Sequence, residues 1–347
     1  MRICSLFFCL PALALLAACT KTDAPVRLDF VGATGLLSGN RIVGAGDTLV
    51  TRAYAVGNDQ PLQRLRIEVT YEPGPAPILY PIPTSSFDPV NAPKTFTLVY
   101  LDSLLPAGSG GTGRGSETLF VNGLMARTTS GKETWTYTAT DVSKQTASRG
   151  YHLTVHKTDS AAVFHSYPLV LRPLPCKAPR PYNTRDSRRV FLNLRSGLLL
   201  PRYALLNNTN TLQANQTLID LVCVANQTGT DVSLVAPADT ASHVTQAGWP
   251  VSHRRATEVH AVGLTTAQFT NAATPADFMA AFASSTPYQP VTGPANDKTT
   301  GPLIPTQVVA FKALDDKGTT YYGLLQVTVL IGGTNPLLTC QVKVQKY

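Results

Sequence analysis

The chain has 347 residues, a formal net charge of +8, 44% apolar residues and 14% charged ones, against roughly 25% charged in an ordinary soluble domain. So little charge excludes a chain kept open by self-repulsion. A Glu count of five (Glu68, Glu72, Glu117, Glu133 and Glu258) excludes a coiled coil. The length suits two domains or one large β domain, and abundant Thr, Val, Tyr, Pro and Gly favour strands and turns over helices.

Residues 1–18 read MRICSLFFCLPALALLAA. Arg2 is a short positive region, and the apolar stretch after it is too short for a comfortable membrane span, which needs about 20 apolar residues. Its proportions are those of a secretory signal. Leu16-Ala17-Ala18-Cys19 closes it and resembles the lipobox of bacterial lipoproteins. The resemblance implies that the Cys19 thiol takes a diacylglycerol before cleavage. It also implies that several acyl chains then hold the exported protein on the outer membrane, its periplasmic or surface-facing side left open. Residues 19–29 would be a short tether. Of the other cysteines, Cys4 and Cys9 leave with the signal, and Cys176, Cys223 and Cys340 remain. These three permit at most one internal disulfide. Cys223 and Cys340 lie in strand-like runs and read as buried, inert thiols.

Residues 30–171 carry alternating runs. Leu65, Ile67, Val69 and Tyr71 alternate with Arg64, Arg66, Glu68 and Thr70, the mark of a strand with one face buried. Thr48–Val56 and Thr95–Leu101 are further strands. In GKETWTYTATDVSKQTASRGYHLTVH, Trp135, Tyr137 and Ala139 share one face, 141–144 turns, and Tyr151, Leu153 and Val155 return. This segment resembles the closing hairpin of bacterial immunoglobulin-like domains, which implies a β-sandwich of about seven strands. A Pro-rich loop (73–93) and a Gly-rich one (108–116) interrupt it. The second lacks the Lys and the following helix of a phosphate-binding loop.

Residues 172–188 form a basic, Pro-rich linker. From Arg172 to Arg202 there are eight cations (Arg172, Lys177, Arg180, Arg185, Arg188, Arg189, Arg195, Arg202) against Asp186, a net +7 that nearly equals the charge of the whole chain. An exposed, semi-extended segment is expected. Its partners would be anionic headgroups or acidic glycans, or none in particular. No nucleic acid is expected on an exported lipoprotein.

Residues 189–347 form a second β domain with one or two short helices. Arg189–Leu194, Leu218–Asn226, Asp231–Val235, Val308–Leu314 and Tyr321–Ile331 read as strands, with Leu338, Cys340, Val342 and Val344 alternating along a last one. Thr265…Gln268 and Thr274-Pro275…Asp277 are helix starts with capping residues. Phe278, Met279 and Phe282 would form the second helix's apolar face. The motif order from FLNLRSG to VKVQK resembles the C-terminal domain of an uncharacterised group of Bacteroidetes surface lipoproteins, which brings a location and a fold but no activity.

The expected fold is thus mainly β, with two β-sandwich-like domains in tandem. The residues supply little catalytic chemistry. His152 and His156 sit on a strand about 13 Å apart and cannot share a metal, no motif for a cofactor or metal stands in the sequence, and a non-catalytic structural or binding role at the cell envelope follows. The alternatives are a glycan-binding accessory lipoprotein and a hydrolase with sequence-distant carboxylates. For a glycan, the candidate stacking residues are Trp249, in Ala247-Gly248-Trp249-Pro250, and then Tyr321 and Tyr322, one of which must face away from the core. Trp249 as a core residue is the competing reading. Four Asp-Ser/Thr-apolar triplets mark Thr48, Ser103, Ser160 and Thr240 as candidate O-glycosylation sites, with ordinary turn chemistry as the equal alternative.

Overall fold

The computed structural model describes residues 24–72, 74, 95–105, 116–156, 163–173, 188–206, 212–242, 244, 248–315 and 318–346. Cys19, Ser160, Cys176 and most of the basic linker lie outside the described residues. The fold is mainly β.

Strands β1 (Val26–Phe30), β3 (Thr48–Gly57) and β6 (Glu117–Met125) form an antiparallel sheet in the order β1-β3-β6. Strands β2 (Arg41–Val43), β8 (Thr146–Val155), β7 (Gly131–Asp141), β4 (Leu62–Glu72) and β5 (Phe96–Leu104) form a second sheet, in that order. The alternation read from the sequence is what buries them. Leu65, Ile67, Val69 and Tyr71 of β4 and Trp135, Tyr137 and Ala139 of β7 are all at most 2% exposed, worth about 1.5–3 kcal/mol for each large side chain removed from water. The β7–β8 turn closes as the hairpin pattern implied. Asp141 Oδ1 accepts the Gln145 amide at 2.9 Å, and Lys144 takes φ 68°, a left-handed conformation that turns tolerate at single residues.

The two sheets face each other. Phe30 meets Tyr137 and Tyr151 edge-on at 5.0 and 5.4 Å. A buried chain of hydrogen bonds then crosses the layer. Tyr203 donates to Asn122 Oδ1 (2.6 Å) and Asn122 Nδ2 to the Tyr137 hydroxyl (2.7 Å), which lies 3.1 Å from the Tyr151 hydroxyl, itself 2.8 Å from Thr51 Oγ1. Every polar group in the chain is satisfied, so the network costs little to bury and fixes one relative placement of its members.

In the C-terminal half, β10 (Arg189–Leu192), β11 (Leu199–Pro201), β12 (Leu221–Ala225) and β13 (Val232–Val235) form a sheet in the order β11-β10-β12-β13. Strands β14 (Glu258–Val262), β15 (Val308–Leu314), β16 (Thr320–Ile331) and β17 (Leu337–Gln345) form another, and β9 (Phe164–Leu171) completes it beside β17. The β9 pairing runs from Leu171↔Leu338 to Phe164↔Gln345. This strand falls inside the span 30–171 read as the first sandwich, yet it hydrogen-bonds to the end of the chain. Among the described residues there are three α-helices: α1 (Gln213–Gln216), α2 (Thr266–Asn271) and α3 (Pro275–Ala283). Both expected capping boxes are present, Thr265 with Gln268 and Thr274 with Asp277. Phe269, Phe278 and Ala281 seat α2 and α3 on the outer face of the C-terminal sheet, against Val308, Ala310 and Leu324. Met279, expected on that face, is 50% exposed. The face is set by the i, i+3, i+4 spacing of Phe278, Ala281 and Phe282, and Met279 lies outside it.

One hydrophobic core runs through residues of both halves. Four cations read as belonging to an exposed basic stretch are built into the structure. Arg188 donates to the Pro173 carbonyl at 2.9 Å. Arg189 donates to the Leu124 carbonyl and to Thr48 Oγ1. Arg195 pairs with Asp315 at 2.8 Å and lies over the Tyr321 ring. Arg202 opens a single 3₁₀ turn whose next residue, Tyr203, is buried. Gly197 takes φ 71° where the halves meet, and a Cβ there would stand 2.7 Å from Thr128 and 2.9 Å from the Tyr167 ring, so both conformation and space demand glycine.

Candidate functional site

The residues singled out in the sequence fall in different settings. Trp249 is 0% exposed, donates from Nε1 to the His253 carbonyl at 2.9 Å and packs on Phe191 at 5.8 Å. It is a core residue with no ring face left for a sugar, and its expected binding role is corrected accordingly. Tyr321 is 2% exposed, and its hydroxyl donates to Asp220 at 2.9 Å, so it too faces inward. Tyr322, on the opposite face of β16, is half-buried and reaches the surface. The pairwise alternation of a strand decided this, as expected.

The Asp-Ser/Thr triplets show mainly local polar chemistry. Thr48 and Thr240 are exposed and Ser103 is half-buried. The preceding aspartates are engaged: Asp47 accepts the Gly44 amide, Asp102 pairs with Arg64, and Asp239 accepts the Ala241 amide and the Asn296 side chain. Cys223 and Cys340 are free and buried, and burial pushes both thiols well above their ordinary value, which keeps them protonated and inert.

Beside Tyr322 the structure gathers residues that the sequence did not join. Glu258 and His260 stand on one face of β14, Lys312 pairs with Glu258 from β15 at 2.7 Å, and Tyr322 follows on β16. Phe282 of α3 stacks on the His260 ring at 4.5 Å and 18°, and Tyr322 meets Phe282 edge-on at 5.6 Å. Glu258 and Lys312 keep about a third of their side chains in water, at 31% and 34%. His260 is 9% exposed.

The hydrogen bonds assign the histidine's tautomer. Ser285 Oγ donates to the Phe282 carbonyl at 2.6 Å, so its 3.0 Å contact with His260 Nδ1 is one in which the ring donates. Nε2 is then an acceptor, buried and without a partner. Burial pulls His260 below the ordinary imidazole range, Glu258 and Asp297 oppose this, and Lys312 adds to it. Lys312 itself is raised by its hydrogen bond to Glu258. This polarity is the reverse of a nucleophile–base pair, in which the imidazole must accept the serine proton. The arrangement suits binding instead: a partly exposed aromatic surface for the C–H face of a polar ring, with one carboxylate and one ammonium beside it for hydroxyl groups.

Two of the fully buried carboxylates, Asp220 and Glu133, serve the fold. Asp220 accepts from Leu194 N (2.7 Å), the Tyr321 hydroxyl (2.9 Å) and Arg255 (2.8 Å). Glu133 accepts from Arg127 N (2.5 Å) and Trp135 Nε1 (2.8 Å). Burial raises both above the usual carboxylate range, against the pull of these donors. Among the described residues no group of three or more His, Cys, Asp or Glu side chains could hold a metal ion, and no helix is long and apolar enough to cross a membrane.

The pattern Glu258-Val259-His260 in a strand run was a readable sign that two polar side chains share one face. Phe282 and Ser285, more than 20 residues on, reach His260 through the seating of α3 on the sheet, which no local pattern encodes. No family model matches the chain, and no curated protein matches it.

Proposed function

We propose that this is an exported, lipid-anchored protein of the cell envelope with a structural or binding role and no catalysis of its own. The observation that carries the reading is Leu16-Ala17-Ala18-Cys19 at the end of an 18-residue leader, in which small residues precede a thiol placed to accept the lipid. The engagement of Asp220 and Glu133 in structural hydrogen bonds supports the non-catalytic part. Expressed in its host, the protein is expected to incorporate labelled palmitate and to partition into detergent, and Cys19→Ala to abolish both. Labelling that survives the substitution would overturn the anchor.

A second reading, glycan binding, is favoured by the Tyr322–Phe282 surface beside the Glu258–Lys312 pair. Tyr322→Ala is expected to leave the fold intact and to remove retention in polysaccharide affinity gels. Wild-type protein that runs unretarded through a panel of polysaccharides excludes this reading.

A further inference from the structure

The position of β1 in the first sandwich constrains how an anchored molecule meets the bilayer. Ala24 and Pro25 are tied to the turn after β3, because Asn58 donates from its side chain to the Ala24 carbonyl (2.6 Å) and from its amide to the Pro25 carbonyl (2.8 Å). Residues 20–23 are all that separate Cys19 from this clamp. Five Cα steps at 3.3–3.6 Å give a reach of about 18 Å at most. An acylated Cys19 therefore holds the Gly57 end of the sandwich close to the lipid surface.

The same end presents apolar side chains to solvent. Val142, at the β7–β8 turn, is 46% exposed, and its amide donates to the Pro61 carbonyl at 3.0 Å. Leu104, closing β5, is 68% exposed, and the next residue's amide donates to the Gln63 carbonyl at 2.8 Å. Lys144 stands beside them with its ammonium on Gln63, and Asp59 is exposed on the neighbouring turn. With Arg64 and Arg27 also at this end, and Asp102 and Glu117 beside them, the charges balance, so apolar contact rather than headgroup charge would hold this surface to a membrane.

The C-terminal half attaches at the opposite end and along the middle of β5 and β6, where Asn215 donates to the Val99 carbonyl at 2.7 Å and Tyr203 packs on Tyr100 and Phe120. Strand β3 runs from Thr48 to Gly57, about 30 Å at the rise of an antiparallel strand. At its Thr48 end Arg189 bonds to Leu124 and Thr48, and Thr128 donates to the Ser196 carbonyl at 2.6 Å.

We propose that Leu104 and Val142 form a lipid-contacting surface at the Gly57 end of the first sandwich, so that the C-terminal half and its Tyr322 patch stand away from the bilayer. The proposal rests on the reading of Cys19 as lipidated. Two apolar side chains bind a membrane weakly by themselves. A covalent anchor whose tether reaches about 18 Å from Ala24 keeps this end of the sandwich at high effective concentration beside the bilayer, so weak contacts suffice to set orientation.

The test uses the lipidated full-length protein on phosphatidylcholine vesicles, with or without bromine on the acyl chains. Leu104→Trp, Val142→Trp and, in the distal half, Val291→Trp each add one indole to Trp135 and Trp249, both fully buried. Flotation with the vesicles is read first. Brominated lipid, which quenches indoles only at close range, is expected to remove most of the added emission at 104 and 142 and none at 291. Vesicle-bound protein whose indoles at 104 and 142 are unquenched, or whose indole at 291 is quenched as strongly, overturns the orientation and leaves the anchor intact. Protein that fails to float, like Cys19→Ala, overturns the anchor and the orientation with it.

Discussion

Asp220 shows how much of this fold hangs on single buried charges. Its carboxylate has no exposure and receives three donors, from the β10 turn, from β16 and from Arg255. Asp220→Ala breaks the ion pair with Arg255, whose side chain is 15% exposed, and strips partners from Leu194 N and Tyr321. A loss of about 3–5 kcal/mol is expected in urea unfolding. His260 supplies a pH dependence. Its folded-state value is depressed by burial, so as pH falls the unfolded chain takes up the proton first, near 6.5. The neutral ring's contribution is complete above that pH and is lost as pH falls through the lower folded value. The charged groups facing it are Glu258, Asp297 and Lys312. The stability gap between wild type and His260→Asn is expected to narrow between neutral pH and about pH 5 in urea midpoints. A gap that does not change with pH would show that His260 binds its proton equally well in the folded and unfolded states.

At the scale of elements, local chemistry decides existence and tertiary packing decides facing. Both helix starts are local: Thr274 Oγ1 accepts the Asp277 amide while Asp277 accepts the Thr274 amide. Thr274→Ala is expected to cost about 1 kcal/mol, read as a lowered Tm, with α3 still seated by Phe278. The strand alternations of β4, β7 and β17 were legible for the same reason, since a period of two needs no knowledge of the partner. Trp249 shows the opposite case. Its neighbours Gly248 and Pro250 mark a turn, which leaves an exposed stacking role and a core role both open. The ring is buried because the following 3₁₀ turn, Val251–His253, folds back to offer it a carbonyl and Phe191 offers it a face.

Over the whole molecule, the two halves are joined by more than a linker. Strand β9 precedes the basic segment in sequence and pairs along β17 after it, and the hydrogen-bonded chain through Tyr203 and Asn122 enters the first sandwich from the second half. A protease site inserted between Pro181 and Tyr182 and then cleaved is therefore expected to give two fragments that co-elute in gel filtration and separate only in denaturant. Fragments that separate in native buffer would show that these pairings do not hold the halves together. The mainly β class, the strand faces of β4, β7 and β17, and both helix caps were determined by the sequence alone, because each depends on residues within one turn or one strand of each other. The partner of β9, the burial of Trp249 and the structural use of Arg189 and Arg195 were decided only by tertiary structure. So was the meeting of His260 with Phe282 and Tyr322. Each of these joins residues far apart in the chain, and which distant surfaces meet is settled by burial of the shared core rather than by any local pattern.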